Sequence, residues 1–144
     1  MAKDRHLYPE FLSFVKKSIE EIEAKGNEVE LTGIFYHVGE NDMSFHPYRK
    51  EAAGRIKSIV EQSRKDLGLP KLRWFLSQQP PTDVERLNSL DAMGDVAKLA
   101  NADPDIIHVK SLGLPPQEKR LVIRADGILA LGELIAQAYF KQRQ

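Results

Sequence analysis

Two spacings of apolar residues alternate along this chain. Phe11, Phe14, Val15, Ile19 and Ile22 recur every three or four positions, the rhythm of a helix, with Pro9 near its start and Gly26 just past its end. Leu31 to Tyr36 is then a short apolar run of the length of a buried strand. Helical spacing returns from about Tyr48 to Leu67, with Ala52, Ala53, Ile56, Ile59 and Val60 on one face and Gly68 and Pro70 to stop it. Leu72 to Leu76 is a second apolar run, closed by Ser77-Gln78-Gln79-Pro80-Pro81, whose prolines predict a loop. Val84, Leu87, Leu90, Met93, Ala97 and Ala100 predict a third helix, and Ile106, Ile107 and Val109 a short third strand. After the Gly/Pro loop Ser111 to Gln117, Ile128, Leu131, Leu134, Ile135 and Ala138 mark a last helix opened by Asp126-Gly127.

The predicted order is therefore α-β-α-β-α-β-α. Strands that are apolar throughout, rather than alternating, are those covered on both faces, and alternation with helices implies right-handed crossovers and a parallel sheet. Three strands are few for such a sheet, which usually has about five. With 144 residues there is room for one domain with a real core, and no repeat or linker divides the chain.

Composition narrows the function classes. Apolar residues make up 42% and charged residues 29%, as in an ordinary globular protein, and 21 Lys+Arg balance 21 Asp+Glu. A neutral chain has no electrostatic footprint for nucleic acid or an anionic membrane, so neither is expected as a partner. The pairs Lys16-Lys17 and Lys119-Arg120 are isolated and read as solvated surface. The absence of cysteine excludes disulfides, thiolate catalysis and thiolate metal sites, and leaves the compartment open. No apolar run approaches membrane-spanning length, and the polar start Met1 to His6 does not read as a signal peptide. A soluble protein without a cofactor is expected.

The candidate chemistry is concentrated at the end of the first strand. In Phe35-Tyr36-His37-Val38-Gly39-Glu40-Asn41-Asp42, hydrogen-bonding side chains gather where the apolar run stops. Open α/β sheets bind ligands at the carboxyl ends of their strands. His37, Gly39, Glu40 and Asp42 are candidates to line a cleft there, and Gln78, at the end of the next strand with Gln79, could face the same cleft. Each has a plainer reading: Asn41 as a turn residue, Glu40 and Asp42 as acceptors of backbone N–H groups, His37 as a hydrogen-bonded strand-end histidine. A metal reading from His37, Glu40, Asp42 and His46 matches no ligand spacing, so no metal is expected. Ser44 is near His37 in sequence only, a poor basis for a triad. Trp74 reads as a core strand residue.

Gly39-Glu40-Asn41-Asp42 resembles the third conserved block of the SGNH hydrolases. The wider string, with His37 two before the glycine, is similar to the His-Gln-Gly-Glu-x-Asp signature of the sialate O-acetylesterase and acetyl xylan esterase-like carbohydrate esterases. Tyr48, Leu69-Pro70-Lys71-Leu72, Gln78 and Ala125-Asp126-Gly127-Ile128-Leu129-Ala130-Leu131-Gly132 sit as in that branch. The resemblance spans nearly the whole chain but only the second half of the family's domain. It implies a three-layer α/β/α domain of flavodoxin-like SGNH type, incomplete at about three strands, with 1–144 as its C-terminal portion.

In that family a serine from an N-terminal Gly-x-Ser block attacks an acetyl carbonyl, a histidine near the last helix takes its proton, and donors hold the oxyanion. The resemblance makes Asn41 the remnant oxyanion-loop candidate and an O-acetylated carbohydrate the expected ligand. The serine block would lie upstream of Met1, and no Gly-x-Ser-x-Gly elbow replaces it. The histidine position is Val122, its acidic partner Lys119, and the signature's glutamine is Val38. No histidine follows His108. The chain thus resembles part of a carbohydrate O-acetylesterase and is expected to be inactive alone, the alternative being a non-catalytic module that binds a glycan or a protein. In the full fold another strand pairs with Leu31–Tyr36. Without it that edge is apolar and open, so a second copy or a partner chain is expected to cover it.

Overall fold

A computed structural model describes residues 7–38, 46–78, 91–110 and 124–143. Within them the elements follow the predicted order: α1 (Leu7–Glu23), β1 (Ile34–Val38), α2 (His46–Asp66), β2 (Trp74–Gln78), α3 (Asp91–Ala102), β3 (Ile106–Val109) and α4 (Ala125–Lys141). The three strands form one parallel sheet in the order β1-β2-β3. The first part of the predicted third helix, from Val84, lies outside the described residues.

Side chains alternate across the sheet and sort the helices onto its two faces. Trp74, Leu76 and Ile106 point to one face, where Ile56 and Val60 of α2 and Val96 of α3 close over them, with Ile34 and Tyr36 packed alongside. Phe35 and Phe75 point to the other, where their rings stack at 4.8 Å and Tyr139 of α4 lies 6.2 and 6.0 Å from them. The central strand β2 is buried along its whole length, its polar Ser77 and Gln78 included.

The amino ends of the strands are fixed by backbone and charge. Ile34 N–H donates to Arg73 C=O and Trp74 N–H to Asp105 C=O, each at 2.9 Å. Arg64 near the end of α2 donates through Nε to Leu72 C=O at 3.0 Å and through its guanidinium to the Asp103 carboxylate. Asp103 also accepts the Asp105 N–H at 2.9 Å. The Arg64 hydrogen bond, with the Asp105 amide beside it, holds the Asp103 carboxyl below the usual carboxylate range. One ion pair thereby joins a helix, the approach to β2 and the turn into β3.

Helix ends follow the glycines. Past α2, Gly68 takes φ +68° and Leu69 N–H reaches back to Arg64 C=O at 2.9 Å, a Schellman closure. Past α1, Gly26 takes φ +81° and its N–H donates to Glu23 C=O at 2.8 Å. α1 is tied to α2 by Tyr8, whose hydroxyl donates to Asp66 at 2.9 Å. Partial burial and that carboxylate push the Tyr8 phenol up to about 12.

The strands lie further along the chain than their apolar runs. β1 begins at Ile34 rather than Leu31 and continues through Val38, while β2 continues through Gln78. On β2 hydrophobicity stops at Leu76, two residues before the ladder does, because the parallel register pairs His37 with Ser77 and Val38 with Gln78. Gly33 marks the other boundary. A Cβ there would stand 3.0 Å from the Phe75 ring and 3.1 Å from Arg73 C=O, so only glycine lets the chain pass this close to β2.

Candidate functional site

The carboxyl ends of β1 and β2 bring together two of the residues expected to line a cleft. They do so on opposite faces of the sheet. Gln78 is fully buried and, with Trp74 and Leu76, belongs to the α2–α3 face. His37 follows Phe35 onto the α4 face and is half-buried. Gly39, Glu40, Asn41 and Asp42, the rest of the predicted cluster, lie outside the described residues, as do Ser44, Gln79, Lys119 and Val122. The described parts of β1 and β2 end at Val38 and Gln78.

His37 has a partner that sequence reasoning missed. Its Nδ1 stands 2.7 Å from Oγ of Ser77, directly across the β1–β2 ladder. Ser77 is 1% exposed, on a central strand. Pro80 and Pro81 predict a loop already from Ser77, whereas β2 continues through Gln78. The pair is visible in the sequence only once the register Ile34↔Trp74 is known, since forty positions separate the two. A rule that a parallel strand continues until proline forbids it would have kept Ser77 in β2.

The remaining histidine of the sheet, His108, pairs in register with Leu76 and so faces the α2–α3 side, away from His37. Burial, with the positive charge of Lys110, lowers its pKa from the ordinary histidine value. Trp74 is buried in the core as expected, its ring edge-on to Tyr36 at 6.0 Å. Among the described residues no group of His, Asp and Glu has the arrangement of a metal site. No described helix is long and apolar enough to cross a membrane.

A cleft of about 480 Å³ opens at the opposite, amino end of the sheet, lined by Thr32, Leu72, Arg73, Asp105, Tyr139 and Arg143 among others. Of its two arginines Arg143 is already engaged, donating to the Tyr139 hydroxyl at 3.0 Å. Crossovers in a parallel sheet converge their variable loops at the carboxyl end, and the polar strand-end residues are there too.

Such a sheet, with helices on both faces and hydrogen-bonding side chains at the strands' carboxyl ends, defines the chain as an α/β protein. The family model described as carbohydrate esterase, sialic acid-specific acetylesterase (SASA) matches residues 1–141, and the chain belongs to that family. A solved X-ray structure of an Arabidopsis thaliana protein matches with a TM-score of 0.70 at 20% identity, over 96% of this chain and 54% of that one. At that identity the likeness shows the fold alone. The chain thus spans about half the length of the solved structure it matches. A search of curated proteins finds no match.

Proposed function

We propose that this chain is the C-terminal portion of a single SGNH-type carbohydrate O-acetylesterase domain, contributing the oxyanion side of an acyl-ester hydrolysis site and binding an O-acetylated carbohydrate. The observation that carries the reading is the position of His37-Val38-Gly39-Glu40-Asn41-Asp42, which begins on the last residues of β1 at the carboxyl end of the sheet. There Asn41 would donate to the developing oxyanion, and His37, Gly39, Glu40, Asp42 and Gln78 would shape the cleft. The nucleophilic serine has to come from residues outside this sequence.

A second reading has its own support. Val38, Lys119 and Val122 stand where the family resemblance expects glutamine, an acidic residue and the base. Apolar or oppositely charged side chains at three such positions favour a module that binds a glycan or protein without hydrolysing it. The two readings agree that these 144 residues alone do not turn over ester. Hydrolysis of an aryl acetate by the purified chain is expected to be no faster than in buffer. Saturable turnover abolished by Asn41→Ala would overturn that expectation and restore a catalytic role.

The same reading includes a covering partner for the edge of β1. That strand is an edge of the described sheet and carries the half-exposed Phe35. Exposed apolar edges invite pairing with another chain. A second copy or a partner chain at the Leu31–Tyr36 edge would bury both. Light scattering that finds a monomer, with β1 amides exchanging at solvent rates, would remove this part of the proposal.

A further inference from the structure

The pairing of Ser77 with His37 fixes more than a distance. A serine hydroxyl has one hydrogen to place, and a buried O–H without an acceptor costs about 1–3 kcal/mol. Ser77 is 1% exposed, and among the described residues His37 Nδ1 is its one side-chain partner, at 2.7 Å. The backbone of Ser77 is committed to the ladder, paired with His37 on one side and Val109 on the other. If Nδ1 carried a proton, two hydrogens would face each other across that contact, or the hydroxyl would turn toward the apolar packing of the α4 face. With Nδ1 bare, the hydroxyl donates to it and both groups are satisfied.

From this we infer that Ser77 is a positioning residue which holds His37 as the neutral tautomer protonated on Nε2. Nε2 is itself shielded from solvent. His37 then serves as a fixed hydrogen-bond donor at the end of β1, where the Gly39–Asp42 segment begins. It does not act as a proton acceptor or a metal ligand: Nδ1 is occupied by the serine and Nε2 bears the hydrogen. A serine supplied from elsewhere to this end of the sheet would therefore find its base in another residue. The significance of the pair for an ester site rests on the reading given above. The tautomer itself does not, because it is measured in the free protein without substrate.

The test is long-range ¹H–¹⁵N correlation of the imidazoles in the uniformly labelled full chain. The sequence holds four histidines, at 6, 37, 46 and 108, and His37→Asn identifies the resonances of His37 by their loss. The expected spectrum shows His37 wholly in the Nε2–H form, with its Nδ1 resonance displaced toward that of a hydrogen-bonded acceptor. Ser77→Ala should remove that displacement and Ser77→Thr, which keeps the hydroxyl, should restore it. An Nδ1–H tautomer in the unaltered chain, or an Nδ1 resonance that Ser77→Ala leaves in place, overturns the inference. Should Ser77→Ala fail to fold, the tautomer in the unaltered chain and the rescued Nδ1 resonance in Ser77→Thr still decide it.

Discussion

On β1, Ile34 and Tyr36 pack into the cluster beneath α2 and α3, whereas Phe35 between them is 49% exposed on the α4 face. The three residues share one backbone and one register, so the difference lies in what covers them. Two helices, α2 and α3, pack on each other and over the first face. On the second, α4 rests on β2 and β3, and its Tyr139 ring lies edge-on to Phe35 of β1. Phe140 next to it is 62% exposed, as are Ile128 and Leu129 at the start of the same helix in similar measure. A finished face and an open face thus coexist in one sheet. The finished one supplies stability, while the open one presents the apolar surface and His37.

The largest test of that contrast is paired truncation. Trp74→Ala on the closed face should cost about 3–5 kcal/mol, the range for removing a buried aromatic. Phe35→Ala should cost about 1 kcal/mol, since half of that side chain never leaves water. Urea denaturation of the two variants measures both, and equal costs would mean that the α4 face is sealed as tightly as its counterpart. Next in size is the ion pair at the amino end. Arg64→Ala should cost about 2 kcal/mol through lost charge-assisted bonds to Asp103 and Leu72 C=O.

The pH dependence of that pair has a definite sign. The folded-state pKa of Asp103 is depressed, so its contribution is present above the unfolded carboxylate value of about 3.9 and is lost as pH falls through the lower folded value. Asp103→Asn should flatten the acid limb of the stability curve there. His108, depressed by burial, acts at milder acidity. Its share of stability is held above the unfolded histidine value of about 6.5 and lost as pH falls through the folded one. His108→Asn should flatten the curve in that window, and an unchanged slope would place His108 in solvent. On the open face, Phe35→Lys should lower the melting temperature by about 3–5 °C, in line with the cost of Phe35→Ala, while weakening any association read by light scattering.

Much of this architecture was legible because it rests on local signals. Gly26 and Gly68 announced helix ends that the structure realises with positive φ, and Ile106 to Val109 read correctly because its apolar residues and its hydrogen bonds coincide. What escaped depended on register. Ser77 looked like the first residue of a loop, yet the ladder carries it opposite His37. Arg64 and Asp103 are unremarkable charges until folding closes the 39 positions between them. The sequence placed His37 and Gln78 at the carboxyl ends of their strands, as the structure has them, but composition holds no information on face, and they point apart. The same blindness applied to His108, whose orientation opposite His37 follows only from its pairing with Leu76.

The sequential strand order has a consequence for how the chain is made. Each strand pairs with the one synthesised just before it, at separations of 40 residues for Ile34↔Trp74 and 32 for Trp74↔Ile106. The entropic cost of closing loops differing that little in length is nearly the same, within about 0.2 kcal/mol. Among the three described strands none has to wait for a distant partner, so this part of the sheet can grow in the direction of translation, one strand-helix-strand unit at a time. The cost of this route falls on β1. Within the described sheet β1 stands at the border, and neither β2 nor β3 covers its outer hydrogen-bonding edge when they emerge.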